Sequence, residues 1–95
     1  NQDRAAVAAN DRAALLVTLD GMGGHADGAR AAEIGRDVLL EAFAAETHPL
    51  FDPLGFLHLA LGRAHEAVAA AGRGRPLEQR PRATCAVCLV QQGSA

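Results

Sequence analysis

The chain has 95 residues, with nine basic and eleven acidic side chains and a formal net charge of −2 at pH 7. A chain of this length forms at most one small domain. The charge balance gives no indication of a nucleic acid or an anionic membrane as a partner. No segment resembles a signal peptide or a membrane span, so we expect a cytoplasmic protein.

A β-hairpin is predicted at the start of the chain. Residues 5–9 form a short apolar run, and the apolar run over residues 13–19 is predicted as the returning strand. Asn10 and Asp11 lie between the two runs and tolerate the backbone geometry of a turn. The hairpin would bring the end of the second strand back to the residues that precede the first.

Two helices are predicted after the hairpin. The first spans residues 27–45, and the second begins at Pro53, behind the N-cap residue Asp52, and stops at Gly72. Helical spacing predicts that the buried stripe of the first helix consists of Ala31, Ile34, Val38 and Ala42. The same spacing in the second helix selects Leu57, Leu61, Ala64, Val68 and Ala71.

A third strand is predicted over residues 83–90, after a polar loop over residues 73–82. Cys85 and Cys88 lie three residues apart in this strand, so they point to opposite faces, and we expect both to be small core residues. The element order is β-β-α-α-β, which predicts an α+β domain whose two helices cover one face of the sheet. The opposite face would remain apolar and uncovered, so we expect low solubility or self-association.

The candidate chemistry lies at Asp20, which follows the second strand and precedes Gly21. A carboxylate fixed by a strand and followed by glycines is suited to holding a divalent cation, because no Cβ blocks the approach of backbone oxygen atoms. The hairpin would bring Asp20 to the same rim as Asp3. A glycine-rich turn is the simpler alternative. A P-loop is excluded because the chain has no lysine, and the glycine spacing does not match a dinucleotide-binding loop.

These motifs carry a family resemblance. The chain reads Asn1-Gln2-Asp3-Arg4, then a strand ending in Asp20-Gly21-Met22-Gly23-Gly24-His25, and later Arg82-Ala83-Thr84. It resembles the start of a bacterial metal-dependent Ser/Thr protein phosphatase of the 2C type (PPM family), which has Asn-Glu-Asp, Asp-Gly-Met-Gly-Gly-His and Gly-Thr-Thr there. The resemblance implies an α/β/β/α fold, a β-sandwich flanked by helix pairs, of which residues 1–95 would be a partial, N-terminal domain.

The resemblance also implies a site and an activity. Asp20 would bridge two Mn²⁺ or Mg²⁺ ions, and Gly21 would offer its backbone carbonyl to one of them. Asp3 would contribute to the same metal cluster, as this residue often does in the family through coordinated water. Asp20 and Asp3 would thus be the catalytic residues for metal-dependent hydrolysis of phosphoserine and phosphothreonine in proteins. The substrates would be phosphoproteins, plausibly the products of a bacterial Ser/Thr kinase. No nucleic acid and no membrane is implied.

Several positions depart from the family pattern or lie outside it. Gln2 replaces the usual Glu, which removes a charge near the metals, and Met22 stands where many eukaryotic members have a His. The family's phosphate-binding Arg would precede Asn1, and its later metal-binding Asp residues would follow Ala95, so the fragment alone is expected to be inactive. The alternative is a catalytically inactive 2C-like regulatory or binding module. His25 is expected to be structural and Arg4 to be a solvated charge.

Overall fold

The computed structural model describes residues 3–22, 25–47, 50–74 and 82–91. Five elements follow one another: strands β1 (Asp3–Ala9) and β2 (Ala13–Met22), helices α1 (His25–Ala45) and α2 (Pro53–Ala71), and strand β3 (Arg82–Gln91). The order β-β-α-α-β and the α+β class are therefore as predicted. No described helix has the length and apolar character that crossing a membrane would require.

The three strands form one antiparallel sheet in the order β1-β2-β3. The turn between β1 and β2 is built by Asn10, whose side-chain oxygen accepts hydrogen bonds from the amides of Arg12 and Ala13 at 2.8 and 3.0 Å. The Asn10 amide in turn donates to the Ala13 carbonyl at 2.9 Å. This local pattern fixes the register of the hairpin, since turn geometry determines which residues pair.

One face of the sheet, which we call the helix-side face, packs against the helices. Its residues on β2 are buried: Ala13, Leu15, Val17 and Leu19 are all 5% exposed or less. They alternate with half-buried or exposed residues, as expected for a strand with one covered face. The core continues into α1 through Ala32, Leu39 and Phe43.

The buried stripe of α1 is shifted from the predicted one. Ala31 and Ala42 are buried as predicted, whereas Ile34 and Val38 are only half-buried. The residues that line the core are Ala31, Ala32, Gly35, Leu39, Ala42 and Phe43. In an alanine-rich helix the side chains differ little in hydrophobicity, so the sequence indicates the orientation of the stripe only loosely.

Helix α2 packs through small residues, and its predicted stripe is wrong at two positions. Leu61 is 39% exposed and Ala71 is exposed, whereas Ala64 is buried as predicted. The contact runs through Ala60 and Ala64, and Phe56 packs edge-on against Phe43 of α1 with ring centroids 6.4 Å apart. Close packing against α1 thus selects alanines over the larger leucines.

The other side of the sheet, which we call the open face, carries residues that alternate with the core positions. Val7 is 65% exposed, Leu16 is 42% exposed and Val90 is 57% exposed. In the described part of the chain both helices lie against the opposite face, so these apolar side chains face outward. This agrees with the expected uncovered face, and self-association of the chain stays a prediction.

Both cysteines are exposed, which corrects their prediction as core residues. They do lie on opposite faces, since Cys85 pairs with the buried Leu19 and Cys88 with the outward-facing Leu16. Strand β3 lies at an edge of the described sheet, and an edge strand is covered less completely than a central one. Partial burial raises the pKa of the Cys85 thiol above its ordinary value.

Candidate metal site

Asp20 lies inside strand β2, and this corrects the prediction that the strand ends at Leu19. The strand continues through Gly21 to Met22 because β3 pairs with these residues: Asp20 lies opposite Thr84, Gly21 opposite Ala83 and Met22 opposite Arg82. Strand β1 likewise begins at Asp3, two residues earlier than predicted. The backbone of Asp20 is therefore held on both sides, since Asp3 of β1 pairs with it as well.

The hairpin register places Asp3 directly opposite Asp20. Paired residues of antiparallel strands have Cα atoms about 4.5–5.5 Å apart, and their side chains lie on the same face. Asp20 is exposed and alternates with the buried Leu19, so this face is the open one. The two acidic residues, far apart in sequence, thus occupy neighbouring positions at one end of the sheet.

Gly21 lies on the helix-side face and is buried. It pairs with Ala83 of β3, and the described pairing of β1 stops one position short of it, at Asp3. Backbone carbonyls of a strand lie in the plane of the sheet rather than above it. Gly21 would therefore offer an ion its backbone oxygen from the plane of the sheet rather than from above it.

A shallow concavity of about 610 Å³ lies beside Asp20. Its lining includes Thr18, Thr84, Ala5 and Ala86. Ala5, Thr18 and Ala86 form the row next to that of Asp3, Asp20 and Thr84, because each row consists of directly paired residues. Small side chains in the inner row leave room above the sheet next to the carboxylate.

Arg4 lies on the helix-side face and forms an ion pair with Glu33 of α1 at 3.1 Å. Its side chain is only 26% exposed, which corrects the prediction of a solvated charge. Since Leu19, its partner on β2, is buried beneath the helices, Arg4 and Asp20 belong to opposite faces. The pairing therefore ties β1 to α1, and Arg4 also lines the concavity beside Asp20.

Other predicted site positions lie outside the described part of the structure. Gln2, Gly23 and Gly24 lie outside the described residues, and so do the side chains of Met22 and His25. The structural role expected for His25 therefore stays a prediction. The side chain of Asp3 also lies outside the described part, so its place in the site rests on its backbone register.

The donor atoms near Asp20 are those that hard cations prefer. Carboxylate, hydroxyl and backbone carbonyl oxygens suit Mg²⁺ or Mn²⁺, and Mg²⁺ usually keeps several waters and takes only one or two carboxylates. Among the described side chains, no group of three or more His, Cys, Asp or Glu residues is suited to holding a metal ion. The residues present therefore fit an oxygen-ligated, largely hydrated ion, and they fit a zinc site poorly.

Sequence reasoning missed one polar neighbour of Asp20. Thr84 is exposed, faces the same side of the sheet and lies directly across from the carboxylate. In the sequence it appears only as part of Arg82-Ala83-Thr84, far from the acidic motif. No protein-family model and no curated protein matches the chain.

Proposed function

We propose that this chain is the N-terminal part of a metal-dependent Ser/Thr protein phosphatase of the 2C type. The observation that carries the proposal is the register of the hairpin, which pairs Asp3 with Asp20 at the exposed end of the sheet. The motif string alone suggests the family, and the register adds a physical reason for both acidic motifs to occur together. A pair of adjacent carboxylates is costly for the fold unless a cation offsets their repulsion.

Asp20, Asp3 and Gly21 are the residues that would hold the ions. Hydrolysis of phosphate monoesters has one of the highest uncatalysed barriers known. Bound Mn²⁺ or Mg²⁺ supplies an activated water and neutralises charge on the phosphoryl group. Strand pairing on both sides of Asp20 limits the movement of its backbone, which restricts the positions that its carboxylate can take before substrate arrives.

The substrate class is a phosphoserine or phosphothreonine side chain of a protein, and a bacterial Ser/Thr kinase is a plausible source of it. The open concavity beside Asp20 supports access by a bulky substrate, since it is shallow and lined by small residues such as Ala5 and Ala86. An inactive 2C-like module is the competing hypothesis. It would keep the fold and lose turnover.

The test is hydrolysis of p-nitrophenyl phosphate and of a phosphothreonine peptide by the complete protein that carries this chain. We expect turnover that requires Mn²⁺ or Mg²⁺ and that falls by at least about a hundredfold in Asp20→Ala, as befits loss of a group that stabilises the transition state. Asp11→Ala is the matched control, since Asp11 is an exposed acidic residue in the turn at the far end of the hairpin. Turnover without added metal, or turnover unchanged in Asp20→Ala, would contradict the proposal.

A further inference from the structure

A concavity of about 270 Å³, which we call the helix-pair groove, lies between α1 and α2 at the end where the two helices are connected. Ala42, Phe56 and Ala60 line it as buried or half-buried residues, and Phe51 and Leu59 line it with exposed side chains. We infer that this groove is the interface through which two copies of the protein form a symmetric dimer. Because the Asp20 side chain faces away from the helices, the inference does not depend on the proposed metal site.

Phe51 is fully exposed, although phenylalanine is among the residues most often buried in folded proteins. Both of its neighbours are anchored. Leu50 is buried, and its backbone makes two hydrogen bonds with the side-chain amide of Gln91, at 2.9 and 3.2 Å. Asp52 caps helix α2. These anchors limit how far the Phe51 backbone can move, so little ordering is needed when its ring packs against another molecule.

Opposite charges lie towards the two ends of the groove. Glu46 directly follows α1 and lies at the connected end, together with Asp52. Arg63 lies ten residues beyond Pro53, the first residue of α2, which is about 15 Å along the helix axis. Within the described part of the chain, neither Glu46 nor Arg63 forms an ion pair. The groove therefore presents separated charges of both signs to a second molecule.

This arrangement of charges is complementary to itself. In a twofold dimer the same surface of both copies meets, so every contact between two different residues is made twice. When two grooves lie against each other in opposite directions, Glu46 of each copy faces Arg63 of the other. Phe51 of each copy then packs on the exposed Leu59 of the other. A second copy thus supplies both the apolar cover and the opposite charges that the groove lacks.

Other occupants fit the groove less well. An anionic membrane would bring its negative charge against Glu46 and Asp52. A purely apolar peptide would cover Phe51 and Leu59, but it would offer no charge to the rim of the groove. Complementary charge across an interface is what suppresses wrong partners and fixes the register of the right one.

The experiment is sedimentation equilibrium of the complete protein that carries this chain, over a series of concentrations. Wild type is compared with Glu46→Arg, Arg63→Glu and the variant that carries both changes. We expect a reversible wild-type dimer. Each single change sets like charges against each other in both halves of the interface and should raise the dimer dissociation constant at least about tenfold. The double variant restores opposite charges and should return to within about threefold of wild type.

A mixture of the two single variants separates this interface from other causes of the same result. In a mixed pair the introduced arginine faces the introduced glutamate, and the native Arg63 faces the native Glu46. The two variants should therefore associate with each other although neither associates well with itself. Repair of a charge contact within one chain, or loss of folding in one variant, would not produce this mixed dimer.

The aromatic anchor is tested by Phe51→Ala, with Leu54→Ala as the matched control. Leu54 is 79% exposed at the start of α2 and does not line the groove. Phe51→Ala should weaken the dimer at least about thirtyfold, as loss of a central aromatic residue does, and Leu54→Ala should stay within about threefold of wild type.

Several results would overturn the inference. These are wild-type protein that stays monomeric throughout the series, a mixture of single variants that stays monomeric, and equal dimer affinity in Phe51→Ala and Leu54→Ala. Dimers that persist in every groove variant and dissociate when Val7→Ser and Val90→Ser are combined would assign the association to the open face of the sheet instead.

Discussion

Gly35 is a buried residue of helix α1 that allows the helix to pack directly against Leu19 of strand β2. A Cβ atom added at Gly35 would lie 2.6 Å from Cδ2 of Leu19, well inside van der Waals contact. Leu19 is itself only 4% exposed, so its side chain has little room to move away. It also directly precedes Asp20, which connects this contact to the candidate site.

Replacement of Gly35 by alanine brings two opposing contributions to the free energy of unfolding. Alanine stabilises a helix interior over glycine by about 1 kcal/mol. Overpacking of a filled core costs about 1–3 kcal/mol. Because the contact is short and the neighbour is buried, we expect the second contribution to dominate and Gly35→Ala to be about 1 kcal/mol less stable than wild type.

Gly62 in helix α2 is the matched control. It is exposed, and a Cβ atom added there would meet nothing within 4 Å. Gly62→Ala should therefore gain the full helix preference of about 1 kcal/mol. The two variants share one chemical change and differ only in what surrounds it, so their difference measures the packing contribution at Gly35.

The assay is thermal denaturation of both variants and wild type, followed by far-ultraviolet circular dichroism. The two alanine variants should shift the melting temperature in opposite directions, since 1 kcal/mol corresponds to about 4–8 °C in a domain of this size. If Gly35→Ala stabilised the chain as much as Gly62→Ala does, the close approach of α1 to Leu19 would be refuted. The packing of α1 against the strand that carries Asp20 would then be wrong.

Three further predictions concern other parts of the fold. Asp52→Ala removes the N-cap of α2, a carboxylate that accepts the Gly55 amide at 3.0 Å, and should cost about 0.5–2 kcal/mol; an unchanged denaturation midpoint would contradict it. Gln91→Ala removes both hydrogen bonds that its side-chain amide makes to the backbone of the buried Leu50, at 2.9 and 3.2 Å, and should cost about 1–3 kcal/mol. Hydrogen exchange of the Leu50 amide should become faster, and unchanged protection would refute the contact. Because burial raises the pKa of the Cys85 thiol, its alkylation by iodoacetamide at pH 8 should be slower than that of an unfolded control peptide. The folded state holds this proton more tightly, so the free energy of unfolding should fall as pH rises past the ordinary thiol pKa. An alkylation rate equal to that of the control peptide would contradict the partial burial of Cys85.

The order of the elements could be predicted because each has a local signal. Asn10 between two apolar runs indicated the hairpin, and its side chain does cap the turn. Asp52 followed by Pro53 indicated the start of α2, and Asp52 is its N-cap. The end of β2 was harder to predict, since glycine has a low strand preference and Gly21 is held in the strand by pairing with β3.

The candidate site could be predicted only where a short connection fixes the register. Asp3 and Asp20 belong to one hairpin, so a tight turn determines that they pair. Thr84 reaches Asp20 through a pairing between strands separated by two helices and a loop, and no local signal specifies that register. The exposure of Cys85 and Cys88 was missed for a related reason, because an apolar run does not reveal whether its strand is central or at an edge.

The most direct test of the account is a double-mutant cycle for Mn²⁺ binding with Asp3→Asn, Asp20→Asn and the double variant of the complete protein. Asparagine keeps the shape of the side chain and removes the charge, and Asp11→Asn at the opposite end of the hairpin is the control. If the two carboxylates share one ion cluster, Asp20→Asn should weaken binding by more than the roughly 10–100-fold typical of an outer-shell partner, and Asp3→Asn should weaken it by about that range. The double variant should then lose less than the sum of the two effects. Equal Mn²⁺ affinity in Asp20→Asn and Asp11→Asn would contradict the account.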